Sequence, residues 1–181
     1  MSASPRWSAR DMAYIALMAV VIAVCSWVSI PAAVPFTLQT FAVFLAVSLL
    51  GGRRGTAAVL VYILLGAVGI PVFHGFTGGL GILLGSTGGY ILGFLGSALL
   101  YWAMTSRLGS RPAIRILAMV LGLAVCYAFG TAWFMAVYAR TTGPVGLLTA
   151  LGWCVFPFLV PDLIKLALAA ALSARLAPHL R

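Results

Sequence analysis

Two acidic residues, Asp11 and Asp162, are all that 181 positions contain, and the chain between them is a series of long apolar runs broken by glycine, proline and short arginine clusters. That feature decides the solvent. Charged residues make up 7% of the chain and hydrophobic ones 64%, whereas a water-facing domain carries about 25% charged side chains. No polar exterior can be assembled from this composition, so a bilayer must replace water. The net charge of +9 would suggest nucleic acid in a soluble chain. Here the arginines sit between apolar runs, as they do in the cytoplasmic loops of membrane proteins, so the expected surroundings are the lipid bilayer and not nucleic acid.

A spanning helix needs roughly 17 to 25 mostly apolar residues. Helix breakers divide the chain into six such segments, predicted at about 11–30, 34–50, 56–70, 86–106, 114–138 and 161–175. The first is too long for the apolar region of a signal peptide and is read as a retained helix. The last is set to begin at Pro161, because proline suits the first turn of a helix better than its interior. Residues 147–156 are left as a short re-entrant or interfacial segment. The expected fold is therefore an all-α membrane protein, a six-helix transmembrane bundle forming one domain over residues 1–181.

The arginines orient it. Arg6 and Arg10 precede the first segment, Arg53 and Arg54 join the second and third, Arg107, Arg111 and Arg115 join the fourth and fifth, and Arg175 and Arg181 end the chain. All of these fall on one side and only Arg140 on the other, which places both termini in the cytoplasm by the positive-inside rule. Ala9, Ala13, Ala16, Ala19 and Ala23 form a stripe of small residues on the first helix, suited to close approach by another helix from the same chain or from a partner.

Ionisable groups inside membrane helices are costly and point to function by default. Asp162 and Lys165 are the two candidates, three residues apart and therefore neighbours on one helix face. They either neutralise each other structurally or hold a polar ligand, the carboxylate accepting N–H donors and the ammonium donating to carbonyl or carboxylate oxygens. Counting 1.5 Å per residue from the cytoplasmic arginines puts Asp162 roughly 20 Å and Gln39 roughly 18 Å above the inner boundary. Tyr90 and Trp133 come out higher still, so the polar and aromatic groups converge on the outer half.

The stretch around residues 73–89 is rich in glycine, with eight between Gly75 and Gly93. That is too many for a buried helix and suits a lid, a backbone in close contact with a ligand, or a re-entrant turn. His74 is read as a hydrogen-bonded loop residue. Cys25, Cys126 and Cys154 show no metal-ligand spacing and are read as packing thiols, so no metal or cofactor is expected. Nucleophile, metal-hydrolase and Walker motifs are missing and the two acids lie on different helices, which argues against an enzyme. Energy for transport must come from an ion gradient or from partner subunits.

Three blocks, VPFTLQTFAVFLAVSLLGGRRG at 34–55, GIPVFHGFTGGLGILLGSTGGYILGF at 69–94 and PFLVPDLIKLALAA at 157–170, resemble in order and spacing the signature blocks of the BioY family. Its members are the biotin-specific substrate-binding (S) components of energy-coupling factor (ECF) transporters. The resemblance implies an S-component fold in the cell membrane and a high-affinity biotin site facing outward. It also implies an energising module of one transmembrane T component and two ATPase subunits, docked on the alanine face of the first helix. Biotin then fits the residues as follows. Asp162 accepts from the ureido N–H groups while Lys165 or Gln39 donates to its carbonyl. Tyr90, Phe36 and Trp133 wall the thioether ring, in a site to which Thr37 also belongs. Backbone N–H groups from Ser86, Thr87, Gly88 and Gly89, or Lys165, meet the carboxylate. A stand-alone secondary transporter or facilitator for biotin or another small vitamin is the competing reading.

Overall fold

The computed structural model describes residues 7–180; Arg6 and Arg181, two of the arginines used for orientation, lie outside them. Eight helices follow one another: α1 (Ala9–Trp27), α2 (Gln39–Leu50), α3 (Gly52–Ala67), α4 (Leu80–Leu84), α5 (Gly88–Leu108), α6 (Pro112–Thr141), α7 (Leu147–Cys154) and α8 (Phe156–Leu176). Four of them, α1, α5, α6 and α8, are long and apolar enough to cross a membrane. The other two long segments are shorter. At 1.5 Å per residue, the 12 residues of α2 reach about 18 Å and the 16 of α3 about 24 Å.

The surface shows why lipid must be the solvent. Leu17, Val20, Phe129, Leu163, Ile164 and Leu168 are exposed, and they sit on the outward faces of α1, α6 and α8. α2 lies at the centre, packed against α1, α3, α5 and α8. Nine of its residues, from Gln39 to Ser48, are buried, as a helix that is apolar on every side requires.

Two boundaries differ most from the sequence expectation, each by five residues. Residues 34–38 are not helical: Phe36–Thr37 (β2) pairs antiparallel with Ser29–Ile30 (β1), in the register Ser29 to Thr37 and Ile30 to Phe36. Pro31 and Pro35 bias the residues before them towards extended backbone, which favours this hairpin over a longer α2. The all-α expectation therefore gains one small sheet. The second difference is that α8 begins at Phe156, five residues before Pro161, which lies inside it. Pro157 occupies the first turn, where a missing N–H costs nothing, and so takes the role expected of Pro161.

At the arginine-bearing end, Ser8 and Asp11 form a capping box: Ser8 Oγ accepts from the Asp11 N–H at 3.1 Å and Asp11 Oδ2 accepts from the Ser8 N–H at 3.0 Å. Arg54 then pairs with Asp11 at 2.8 Å. Arg115, grouped with the loop arginines above, lies in the first turns of α6 and turns inward. Its Nε donates to Tyr101 Oη at 3.1 Å, and its Nη2 donates to the Ser48 carbonyl and to Ser173 Oγ. One side chain thus ties α2, α5, α6 and α8 together.

Candidate functional site

The buried residues of α8 are Phe158, Asp162, Lys165, Leu166, Ala169 and Ser173. Their spacing of three and four keeps them on one face, turned towards α2. That face buries both charges, leaving Asp162 3% and Lys165 6% exposed. Lys165 Nζ donates to Asp162 Oδ1 at 2.8 Å and to the carbonyl of Thr37 at 2.7 Å. It lies 3.9 Å from the centre of the Phe36 ring, and Phe36 in turn stacks on Phe158. The other carboxylate oxygen, Asp162 Oδ2, accepts from Tyr127 Oη at 2.7 Å.

This pair is neutralised, but its hydrogen-bonding capacity is not exhausted. An ammonium has three protons and two are used here; a carboxylate offers about four lone-pair positions and two are taken. Both side chains line a narrow cavity that is partly open to solvent. Its lining is mostly apolar, with Val34, Ile91, Phe94, Leu123 and Phe158 among its walls.

Close packing behind the cavity fixes its aromatic walls. Tyr90 lies against Gly130, where a Cβ would overlap the Tyr90 ring, and its hydroxyl pairs with Thr131 Oγ1 at 2.9 Å. Trp133 occupies the space left by Gly89 and donates from Nε1 to the Gly85 carbonyl at 2.9 Å. Gly88, Gly89 and Gly93 are helical and buried in α5. The end of the glycine-rich stretch therefore falls within the helix expected at about 86–106, and it is buried because neighbouring helices come too close for side chains. The rest of it is held by α1: Ser26 Oγ donates to the Val72 carbonyl at 2.5 Å, Trp27 Nε1 donates to the Pro71 carbonyl at 2.9 Å, and Trp27 stacks on Phe76 with ring centres 4.8 Å apart.

Of the residues singled out from sequence, Asp162, Lys165, Tyr90, Gln39, Thr37 and Thr87 line the cavity. Gln39 uses its Nε2 to donate to Tyr62 Oη at 3.0 Å. Phe36, Ser86, Gly88, Gly89 and Trp133 do not line it; Phe36 supports the ammonium from behind, and Trp133 anchors the loop rather than walling the site. Along the alanine stripe, Ala9, Ala13 and Ala16 are exposed while Ala19 and Ala23 are buried within the bundle.

Sequence reasoning missed Tyr127, the partner of Asp162, because a single tyrosine in an apolar run gives no signal of its own. It also placed His74 and two cysteines elsewhere. His74 lines the cavity along with Cys126 and Cys154; it is the hydrogen-bonded loop residue expected, but through its carbonyl, which accepts from Thr77 Oγ1, while its imidazole makes no hydrogen bond among the described residues. Burial holds that imidazole below its ordinary pKa.

Comparison with known proteins places this arrangement in context. The chain is 39% identical to the biotin transporter BioY of Thermotoga maritima, over 92% of this chain and 95% of that one. It is 34% identical to the biotin transporter BioY of Rhodobacter capsulatus, over 94% of both. Among solved structures, the crystal structure of the S-component for biotin from an ECF-type ABC transporter superposes with a TM-score of 0.81. The identity is 27%, covering 92% of this chain and 90% of that one. With four apolar spanning helices and transporters as relatives, this is a multi-pass membrane protein. The BioY family model matches residues 1–181, and the chain belongs to the BioY family.

Proposed function

We propose that this chain is the biotin-binding membrane subunit of an ECF-type transporter and mediates biotin uptake. The observation that carries the reading is the buried Asp162–Lys165 pair, which lines a cavity and has hydrogen-bonding positions to spare, in a chain that aligns over nearly its whole length with a biotin transporter. The ureido group of biotin presents two N–H donors and one carbonyl. Asp162 can accept from the former and Lys165 can donate to the latter without either losing its present partners. Tyr90, Ile91 and Phe158 offer apolar surface to the thioether ring. Neither a nucleophile nor a metal is needed, since the task is binding and release. The protein is a transport component and not an enzyme.

The finer organisation belongs to the same proposal. α1, α2, α3, α5, α6 and α8 form six spans in the cell membrane with both termini in the cytoplasm, supported by the arginines that gather at one end of the bundle. A T component and two ATPase subunits supply the energy, and the exposed Ala9, Ala13 and Ala16 offer the T component a surface for close packing. The β1–β2 hairpin and the glycine-rich stretch serve as the covers that ligand orders.

The test is saturable binding of radiolabelled biotin to the chain purified in detergent, with a panel of other vitamins as competitors. Biotin alone should compete at low concentration. Saturable binding of a different vitamin, with none of biotin, would overturn the substrate assignment. Uptake of biotin into proteoliposomes holding this chain without ATPase subunits would overturn the dependence on partners.

A further inference from the structure

The cavity holds one acid and one base in contact, so its built-in charge sums to nothing. A ligand that carries a polar ring at one end and a carboxylate at the other brings a negative charge. The pair can balance that charge only if Lys165 gives up Asp162, and breaking a buried pair leaves a charge uncompensated. A second basic group would avoid that conflict. Among the residues lining the cavity, His74 is the one other basic side chain.

Its position suits the task. Asp162, Lys165, Gln39 and Thr40 are buried, whereas His74 and Thr87 are half-buried, which sets these last two nearer the mouth and the first four deeper. The backbone that carries His74 is held on several sides. The Phe73 N–H donates to the Thr77 carbonyl at 2.9 Å, Thr77 Oγ1 donates to the His74 carbonyl at 2.8 Å, and Phe76 is pinned by Trp27. The imidazole is thus presented by a fixed turn while its own nitrogens remain unbonded among the described residues. Thr87, at the head of α5, likewise makes no capping bond with its side chain.

We infer that His74 is a specificity residue that receives the carboxylate of the ligand at the mouth of the cavity, with the Thr87 hydroxyl as a second donor, while Asp162 and Lys165 hold the polar ring below. This rests on the biotin reading above. It assigns the two ends of the ligand to two levels of the cavity and accounts for a side chain that the ion pair leaves unused.

A dependence on pH follows. Burial disfavours the imidazolium in the empty cavity, and a bound carboxylate favours it. The bound imidazole therefore has the higher pKa, so affinity for the acid rises as pH falls from the bound value to the free one and levels off below it. The other titratable groups lining the cavity are Tyr90 on α5, Cys126 and Tyr127 on α6, Cys154 on α7, and Asp162 and Lys165 on α8. Tyr62 of α3 packs on Phe73, and α1, which packs on the His74 turn, carries Cys25 in its last turns. Histidine ordinarily titrates near about 6.5, and loss of the slope in a His74 variant separates it from the other groups. A slope between about pH 5 and about pH 8 that is lost in such a variant is therefore the mark of His74.

The experiment compares biotin with its uncharged methyl ester on the purified full chain, as wild type, His74→Ala and His74→Gln, across that range. Wild-type affinity for biotin should rise as pH falls while affinity for the ester stays level. His74→Ala should weaken biotin about 10-fold at the acid end, in keeping with a hydrogen bond to a charged group, and leave the ester nearly unchanged. His74→Gln keeps a donor without a titrating proton, so it should retain part of the affinity and lose the slope. A slope that survives in His74→Ala, or an equal loss for acid and ester, would overturn the assignment. Wild-type binding of both compounds with no slope would overturn it while leaving the biotin reading intact. Failure of the wild type to bind either compound would overturn the biotin reading and this inference together.

Discussion

The two ends of this bundle each hold a charged group against a backbone carbonyl, and they do so to opposite effect. At the arginine-bearing end, Arg115 spreads its guanidinium over Tyr101, Ser48 and Ser173, three partners on three helices, and so ties the helix ends together. At the other end, Lys165 and Asp162 together reach Thr37 and Tyr127 and still keep unused hydrogen-bonding positions beside a cavity. A charge that ties helices together is a structural element; a charge with capacity left over beside a cavity is, on the proposal above, a binding element. The contrast shows how to tell the two apart without knowing the ligand.

Five changes test that contrast, the largest effect first. Asp162→Asn strands the Lys165 ammonium in a buried setting; removing one partner of such a pair costs about 3 to 5 kcal/mol. Biotin binding should fall by about 100-fold or more. The double change Asp162→Leu with Lys165→Met should bring the melting temperature back towards wild type, because a buried pair exchanged for apolar side chains is often neutral or better, yet binding should stay lost. Recovery of binding in the double variant would show that the pair serves structure only.

Gly130→Ala comes next. A methyl there collides with Tyr90, and overpacking of this kind costs about 1 to 3 kcal/mol. Both melting temperature and biotin affinity should drop, since Tyr90 is a cavity wall. Arg115→Met should lower stability by about 1 to 2 kcal/mol, a value discounted from that of a fully buried charged hydrogen bond because the side chain is half-buried. Binding should remain within about twofold of wild type. A large loss of affinity in Arg115→Met would mean that the two ends are coupled and that the contrast is false. The smallest effect belongs to Arg54→Gln, whose partner Asp11 already has Ser8; melting and binding should both stay where they were, as surface pairs contribute little.

The pairing of Asp162 with Lys165 was legible in the sequence because two charges three residues apart in an otherwise apolar run share one helix face. The transmembrane class followed from composition in the same way. What escaped was long-range. Tyr127 meets Asp162 across 35 positions, and no periodicity in an apolar helix marks which tyrosine will face an acid. Trp133 was placed in the site by its depth, but depth gives no azimuth, and its indole turns to Gly85 instead. Gly88 and Gly89 were read as ligand-touching backbone because a glycine cluster suggests a loop; here their missing side chains admit a neighbouring helix and Trp133. Around Pro157 and Pro161, either proline could have started the helix by its local preference, and tertiary packing chose the earlier one.

One contact has a consequence for release. The Thr37 carbonyl, which belongs to the β1–β2 hairpin, is one of the two oxygens that Lys165 holds. Swinging the hairpin away would remove one of the ammonium's acceptors while the ammonium is still shielded from water. On the proposal that the hairpin covers the ligand, opening would be uphill until water or the departing guest supplied a replacement oxygen, so that doorway and occupant would draw on the same three protons.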